Sequence, residues 1–178
     1  MTQEIPINAS SFVCSIPPRS VILKIVNKRI LLLSSFTLAL AVSVLCSAQD
    51  RGYWRADSST ANSITGDITL SESKITINFL AFPISQARKL SPAEVSAAFD
   101  ADVNAGYTGN LYHLTVPAAQ RFLHHNTLCG TEQTEWMATY VSGRNLQIAF
   151  FSGTDAPVFT LDALAKSTDL CGTFTYGR

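Results

Sequence analysis

Charge and reactive side chains are both scarce. Lys, Arg, Asp and Glu make up 15% of the 178 residues, in equal numbers of each sign, and histidine occurs three times. A formal net charge of zero leaves no basic field for nucleic acid or an anionic membrane. The aromatic residues are interleaved with aliphatic ones, as in a core, and the basic residues are scattered. The stacking-plus-cation pattern of single-strand binders is therefore missing. There is no Gly-x-Ser-x-Gly and no phosphate-cradling glycine loop. These absences exclude the common nucleophile-elbow and nucleotide chemistries, and no cofactor is expected.

Cysteine is also rare, with four in all, and two of them, Cys14 and Cys46, fall in an N-terminal region of distinct texture. Ile30 to Leu45 is a run of 16 uncharged residues directly after Lys28-Arg29, followed by Cys46-Ser47-Ala48. A basic flank, an apolar run and small residues at the −3 and −1 positions form a secretory signal peptide, cut between Ala48 and Gln49. The run is short of the roughly 20 residues of a membrane span, so a membrane association is expected only if the leader stays uncleaved. Residues 1–20 carry Pro6, Pro17 and Pro18 and do not belong to an ordinary n-region; translation beginning near Val21 would account for them. The expected organisation is a leader over 1–48 and a single domain over 49–178. That domain holds 9 basic and 12 acidic residues, a net charge near −3 and an ordinary soluble surface.

Cys129 and Cys171 are then alone in an oxidising compartment, each inside the same word, Leu-Cys-Gly-Thr. A disulfide between them is expected, tying the last strand to the segment before Trp136. A catalytic cysteine would need a partner histidine and no second thiol nearby.

Period-two alternation dominates the rest. Ile64, Ile68 and Leu70, then Ile75, Ile77 and Phe79, read as a hairpin, with Pro83 interrupting the second strand at a bend or an edge. Ser58 to Ser63 reads as a polar loop. Ser91-Pro92-Ala93-Glu94 has the signature of a helix start. Yet Ala93, Val95, Ala97 and Phe99 alternate, and a strand pairing with Tyr112, Leu114 and Val116 is the favoured reading. Ala118 to His125 could form two helical turns. Trp136–Val141 and Leu146–Phe150 make the best-specified hairpin, across Ser142-Gly143-Arg144-Asn145. Leu161–Lys166 reads as a helix capped by Thr160. The sum is a mainly β fold of about seven or eight antiparallel strands with one or two short helices. Closure into a barrel or a two-sheet sandwich is needed to hide the edges.

Asp100, Asp102 and Asn104 resemble the start of a calcium loop. The glycine comes one place late and Leu111 stands where a bidentate glutamate is required, so a polar hairpin loop is expected. His124, His125, Glu132 and Glu135 have the residue types of a zinc or acid–base site, but adjacent histidines point in different directions and the spacing fits no ligand pattern. His113 alternates outward.

Gly52-Tyr53-Trp54 resembles the Gly-x-Trp that opens the first strand of lipocalins, although no long closing helix follows. The signal, the size and the single disulfide resemble small exported bacterial inhibitors of metalloproteases and of lysozyme. Residues 52–176, with Arg121–Gly130 and Leu170–Tyr176, are similar to a family of small exported bacterial proteins of unassigned function, which implies export and no activity. The leading expectation is a non-enzymatic, secreted or periplasmic binding protein. A lipocalin-like role for a small apolar ligand predicts an internal cavity lined by Trp54, Phe79, Trp136 and Phe150. An inhibitor or interaction module acting on an exported hydrolase predicts a projecting loop with Asp100, Asp102, Asn104 and Tyr107. An enzyme would need the His124/Glu135 region to converge in a pocket.

Overall fold

Eight strands follow one another along the chain. The computed structural model describes residues 50–105, 107 and 109–178; the leader and its expected cut before Gln49 lie outside them. The strands are β1 (Gly52–Ala56), β2 (Ile68–Leu70), β3 (Lys74–Ile77), β4 (Leu80–Leu90), β5 (Gly109–Val116), β6 (Thr134–Ser142), β7 (Asn145–Phe151) and β8 (Leu170–Gly177). They form one closed antiparallel barrel in sequence order. Burial alternates along β2, β3 and the second half of β5, as expected of half-buried strands, whereas β6 and β7 have both faces covered. Three α-helices accompany it: α1 (Ser59–Ile64), α2 (Pro92–Phe99) and α3 (Leu161–Lys166).

Closure is achieved by few ladder pairs. β1 meets β8 only at Arg55–Gly177 and Ala56–Tyr176. The seam continues through the start of α1, where Asp57 N and Ser58 N donate to Thr175 O at 3.0 and 3.1 Å. Ser58 Oγ accepts from Thr175 N and, as the N-cap of α1, from Ala61 N, both at 3.1 Å. Residues 58–63, expected as a loop, are therefore largely helical. Only Ala61 of that helix is buried, so its hydrophobic signal is a single methyl.

Two apolar layers result. Trp54, Ile68, Leu70, Ile75, Ile77, Leu114, Met137, Leu146, Ile148, Phe150, Phe174 and Tyr176 fill the inside of the barrel. Leu90, Leu111, Ala138, Tyr140, Ala149 and Phe151 face outward from β4–β7 and are covered by Val95 and Phe99 of α2 and by Phe159. A register shift between Gln86 and Arg88 lets one strand serve both layers. Phe82 and Ile84 point in before it, and Leu90 joins the outer layer after it, because one extra residue reverses the pleat.

The strand expected over Ala93–Phe99 is α2. Ser91 Oγ accepts from Glu94 N, Glu94 reaches back to Ser91 N, and Pro92 sits in the first turn, a complete capping box. Val95 and Phe99, four apart, share the buried face. The alternation misleads because the alanines between them tolerate either side. Gly109 makes the close packing possible: a Cβ there would lie 2.4 Å from Thr139 O and 3.2 Å from Val95. Ala118–His125, expected as two helical turns, yields one 3-10 turn over Leu123–His125 after the buried Phe122.

The expected disulfide is present, with Cys129 and Cys171 Cα atoms 4.8 Å apart. Cys171 occupies the register shift between β7 and β8, where Gly172 pairs with Phe150 and Leu170 with Phe151. The bulge frees its side chain for Cys129.

Candidate functional site

The barrel interior is the first place to look for a ligand, and it is filled. Trp54, Ile75, Ile77, Met137, Leu146, Ile148, Phe150 and Tyr176 have no solvent-accessible surface. A void that admits a water-sized sphere would leave such surface on the side chains around it. Of the four residues expected to line one cavity, Trp54 and Phe150 are part of this filling. The other two correct that expectation. Trp136 is on the outer face of β6, its ring edge-on to His113 with centroids 5.1 Å apart. Phe79 is 97% exposed.

One end of the barrel is polar. Asp50, just ahead of β1, is buried, and its Oδ2 accepts from Asn110 Nδ2 at 2.9 Å, Tyr112 Oη at 2.7 Å and Thr139 Oγ1 at 3.0 Å. Trp54 Nε1 donates to the Asp50 carbonyl at 2.8 Å. Burial, reinforced by the Asp50 hydrogen bond and charge, raises the Tyr112 pKa. The donors are neutral and satisfied by the protein's own carboxylate, so this knot holds the chain start in place. It is occupied internally.

The outer surface is covered unevenly. The helices shield β4–β7, while the outer face of β1–β3 is open. There Tyr53 pairs with Thr69, and Thr69 with Thr76, so an aromatic and two hydroxyls form a row across three strands. The row floors a groove of about 380 Å³, bounded by Asp67 and by the β3–β4 turn at Asn78-Phe79. Tyr53 Oη donates to Asp67 Oδ2, and Ala56 N donates to Asp67 Oδ1 at 2.9 Å. The first of these bonds lowers the Asp67 pKa, aided by the second, and the same carboxylate raises that of Tyr53. Gly66, at φ +60, lies at the back of the groove, and a Cβ there would meet Leu123 Cδ1 at 3.0 Å.

Phe79 is the unusual member. Ile77–Leu80 is a two-residue hairpin with φ +46 at Asn78 and +66 at Phe79. Positive φ at both central positions defines a type I′ turn, for which Asn-Gly is preferred. Asn78 fits. Phe79 incurs a Cβ clash of about 1–2 kcal/mol in the left-handed region and recovers nothing by burial. The expected continuation of the strand from Ile77 to Phe79 thus fails: the chain reverses, and the ring that would have faced inward projects into solvent.

The other expected residues are dispersed. Asp100 is the left-handed C-cap of α2. Asp102 Oδ1 accepts from Asn104 N at 2.9 Å and from its amide at 3.2 Å. The Tyr107 ring lies 5.4 Å from that of Tyr140. Glu135 approaches His113 Nε2 at 3.4 Å and accepts from Gln133. His124 and His125 sit on the 3-10 turn, and Glu132 in the following loop, all exposed. Among the described residues no three His, Cys, Asp or Glu side chains are grouped to hold a metal ion. No helix among them is long and apolar enough to cross a membrane.

Comparison with protein-family models, with curated proteins and with solved structures found no match. The groove itself was missed by sequence reasoning, but a signal for its turn exists. Ile75 and Ile77 are odd-numbered inward residues, Phe82 and Ile84 even-numbered ones. A change of parity across Asn78-Phe79 is what a two-residue hairpin produces there.

Proposed function

We propose that the protein is an exported, non-enzymatic binding module that engages its ligand on the outside of the barrel, at the β1–β3 face and the β3–β4 turn. The observation that carries this reading is Phe79, a 97% exposed aromatic held at φ +66 where glycine would serve the turn better. Conformational strain at an exposed side chain that contributes nothing to the core belongs to function. Tyr53, 56% exposed, and Leu80, 40% exposed, extend the apolar patch around it. The filled interior favours this surface over a lipocalin-like cavity for an apolar ligand. The segment from Asp100 to Asn110 is a weaker candidate for a partner-inserting loop, since Asp102 and Asn104 bond each other, Tyr107 rests on Tyr140 and Asn110 turns to Asp50. The Cys129–Cys171 bridge and the signal-like leader support export.

The test is titration with an apolar fluorescent probe and with a long-chain fatty acid, following Trp54 and Trp136 emission. The reading predicts no saturable uptake by the folded protein. Saturable binding that survives Phe79→Gly would move the site into the barrel.

A further inference from the structure

We infer that the groove between Tyr53, Asp67 and Phe79 is a site for a neutral saccharide; this rests on the outer-face reading above and deepens it. Sugars present two kinds of surface: a ring face of C–H groups, which packs on aromatic rings, and a rim of hydroxyls, each both donor and acceptor. The groove offers both counterparts. Phe79 and Tyr53 supply exposed aromatic surface. Asp67, Asn78, Thr69 and Thr76 add a carboxylate, an amide and two hydroxyls to the lining of the groove. The Asn78, Thr69 and Thr76 side chains make no hydrogen bond to other described residues, so their polar groups face the groove unengaged. Asp67 is held ionised by Tyr53 and Ala56, and each oxygen keeps acceptor capacity for a ligand hydroxyl. The groove's volume of about 380 Å³ falls within the range of small-ligand sites.

Charge and topology argue against the other occupants. No basic residue lines the groove and its one charged member is acidic; Arg55 acts on Tyr53 and Asp67 from outside the lining, so phosphate, sulfate and nucleic acid would find no cation within the groove itself. A peptide adding as a β-strand needs an open sheet edge, and β2 beneath the groove is already paired on both sides, with β1 and β3. An amphipathic helix needs a continuous apolar trough, which the row Tyr53–Thr69–Thr76 interrupts with hydroxyls.

The experiment is an amide-shift titration of the mature chain with cellobiose, maltose and N,N′-diacetylchitobiose, beside a sulfated disaccharide and an apolar peptide. At least one neutral saccharide is expected to shift the amides of Tyr53, Thr69, Asn78 and Phe79 saturably, in the millimolar range or tighter. Phe79→Ala and Asp67→Asn should each weaken it about tenfold or more, with Phe79→Trp retaining it and all three variants keeping wild-type dispersion. Tighter binding of the sulfated sugar, or shifts only with the peptide, would overturn the ligand class while leaving an outer-face site standing. No saccharide response at the groove at about 20 mM, or a response indifferent to both weakening substitutions, would overturn the site itself.

Discussion

The Asp50 carboxylate and the Tyr112 hydroxyl meet at 2.7 Å, buried, although 62 residues separate them in the chain. Thr139 and Asn110 complete the contact, so one residue preceding the first strand engages β5 and β6 at the far wall. Asp50→Ala leaves the buried Tyr112 and Thr139 hydroxyls and the half-buried Asn110 amide without this acceptor, at a cost of about 3 kcal/mol. A lower urea midpoint with an unchanged m-value is the expected result. An unaltered midpoint would show that the chain start is not anchored.

Phe150 stands for the filled interior. Phe150→Ala removes a ring packed edge-on against Phe174, centroids 5.3 Å apart, and costs about 3–5 kcal/mol. The variant should also acquire saturable binding of a small apolar molecule such as benzene or xenon, which the wild type lacks. Uptake by both would mean that a cavity exists already.

The disulfide closes a separation of 42 residues, which the chain-entropy model values at about 4 kcal/mol. The Cys129→Ser, Cys171→Ser pair should lower the denaturant midpoint accordingly. Because Cys171 occupies a β-bulge, amide exchange should rise first at the start of β8.

Glu94 connects stability to pH. Arg88, 2.8 Å away, is the main cause holding its carboxyl down to about 2, with Ser91 assisting through backbone and side-chain hydrogen bonds. A folded pKa below the unfolded one gives stability that is fully present above about 4.5 and is lost as the pH falls toward 2. Arg88 is 44% exposed, so screening reduces the contribution to about 1 kcal/mol. Glu94→Gln should therefore melt lower than wild type at pH 7, and the two curves should converge near pH 2.

What the residues disclosed in advance follows from which forces are local. Alternation at Leu111–Val116, Trp136–Val141 and Leu146–Phe150 is enforced by the pleat, so the strands and the need for closure could be read directly. The disulfide followed from count and compartment. The errors arose where short side chains leave the period undetermined, at Ala61 in α1 and at Ala93 and Ala97 in α2. Phe79 extended a parity that the backbone had already abandoned at Asn78, and so was placed in a core it never enters. The groove assembles Tyr53, Thr69 and Thr76 from three strands and Asp67 from a loop. Only the register brings them together, and the register was not legible from any one segment.

The most direct measurement is chemical denaturation of Phe79→Gly beside its saccharide titration. Relief of the left-handed strain should raise stability by about 1 kcal/mol, a melting shift of about 4 °C. In the same protein, binding at the groove should weaken about tenfold or more. A variant less stable than wild type that still binds as the wild type does would show that Phe79 serves the fold, and would contradict the assignment of this face to recognition.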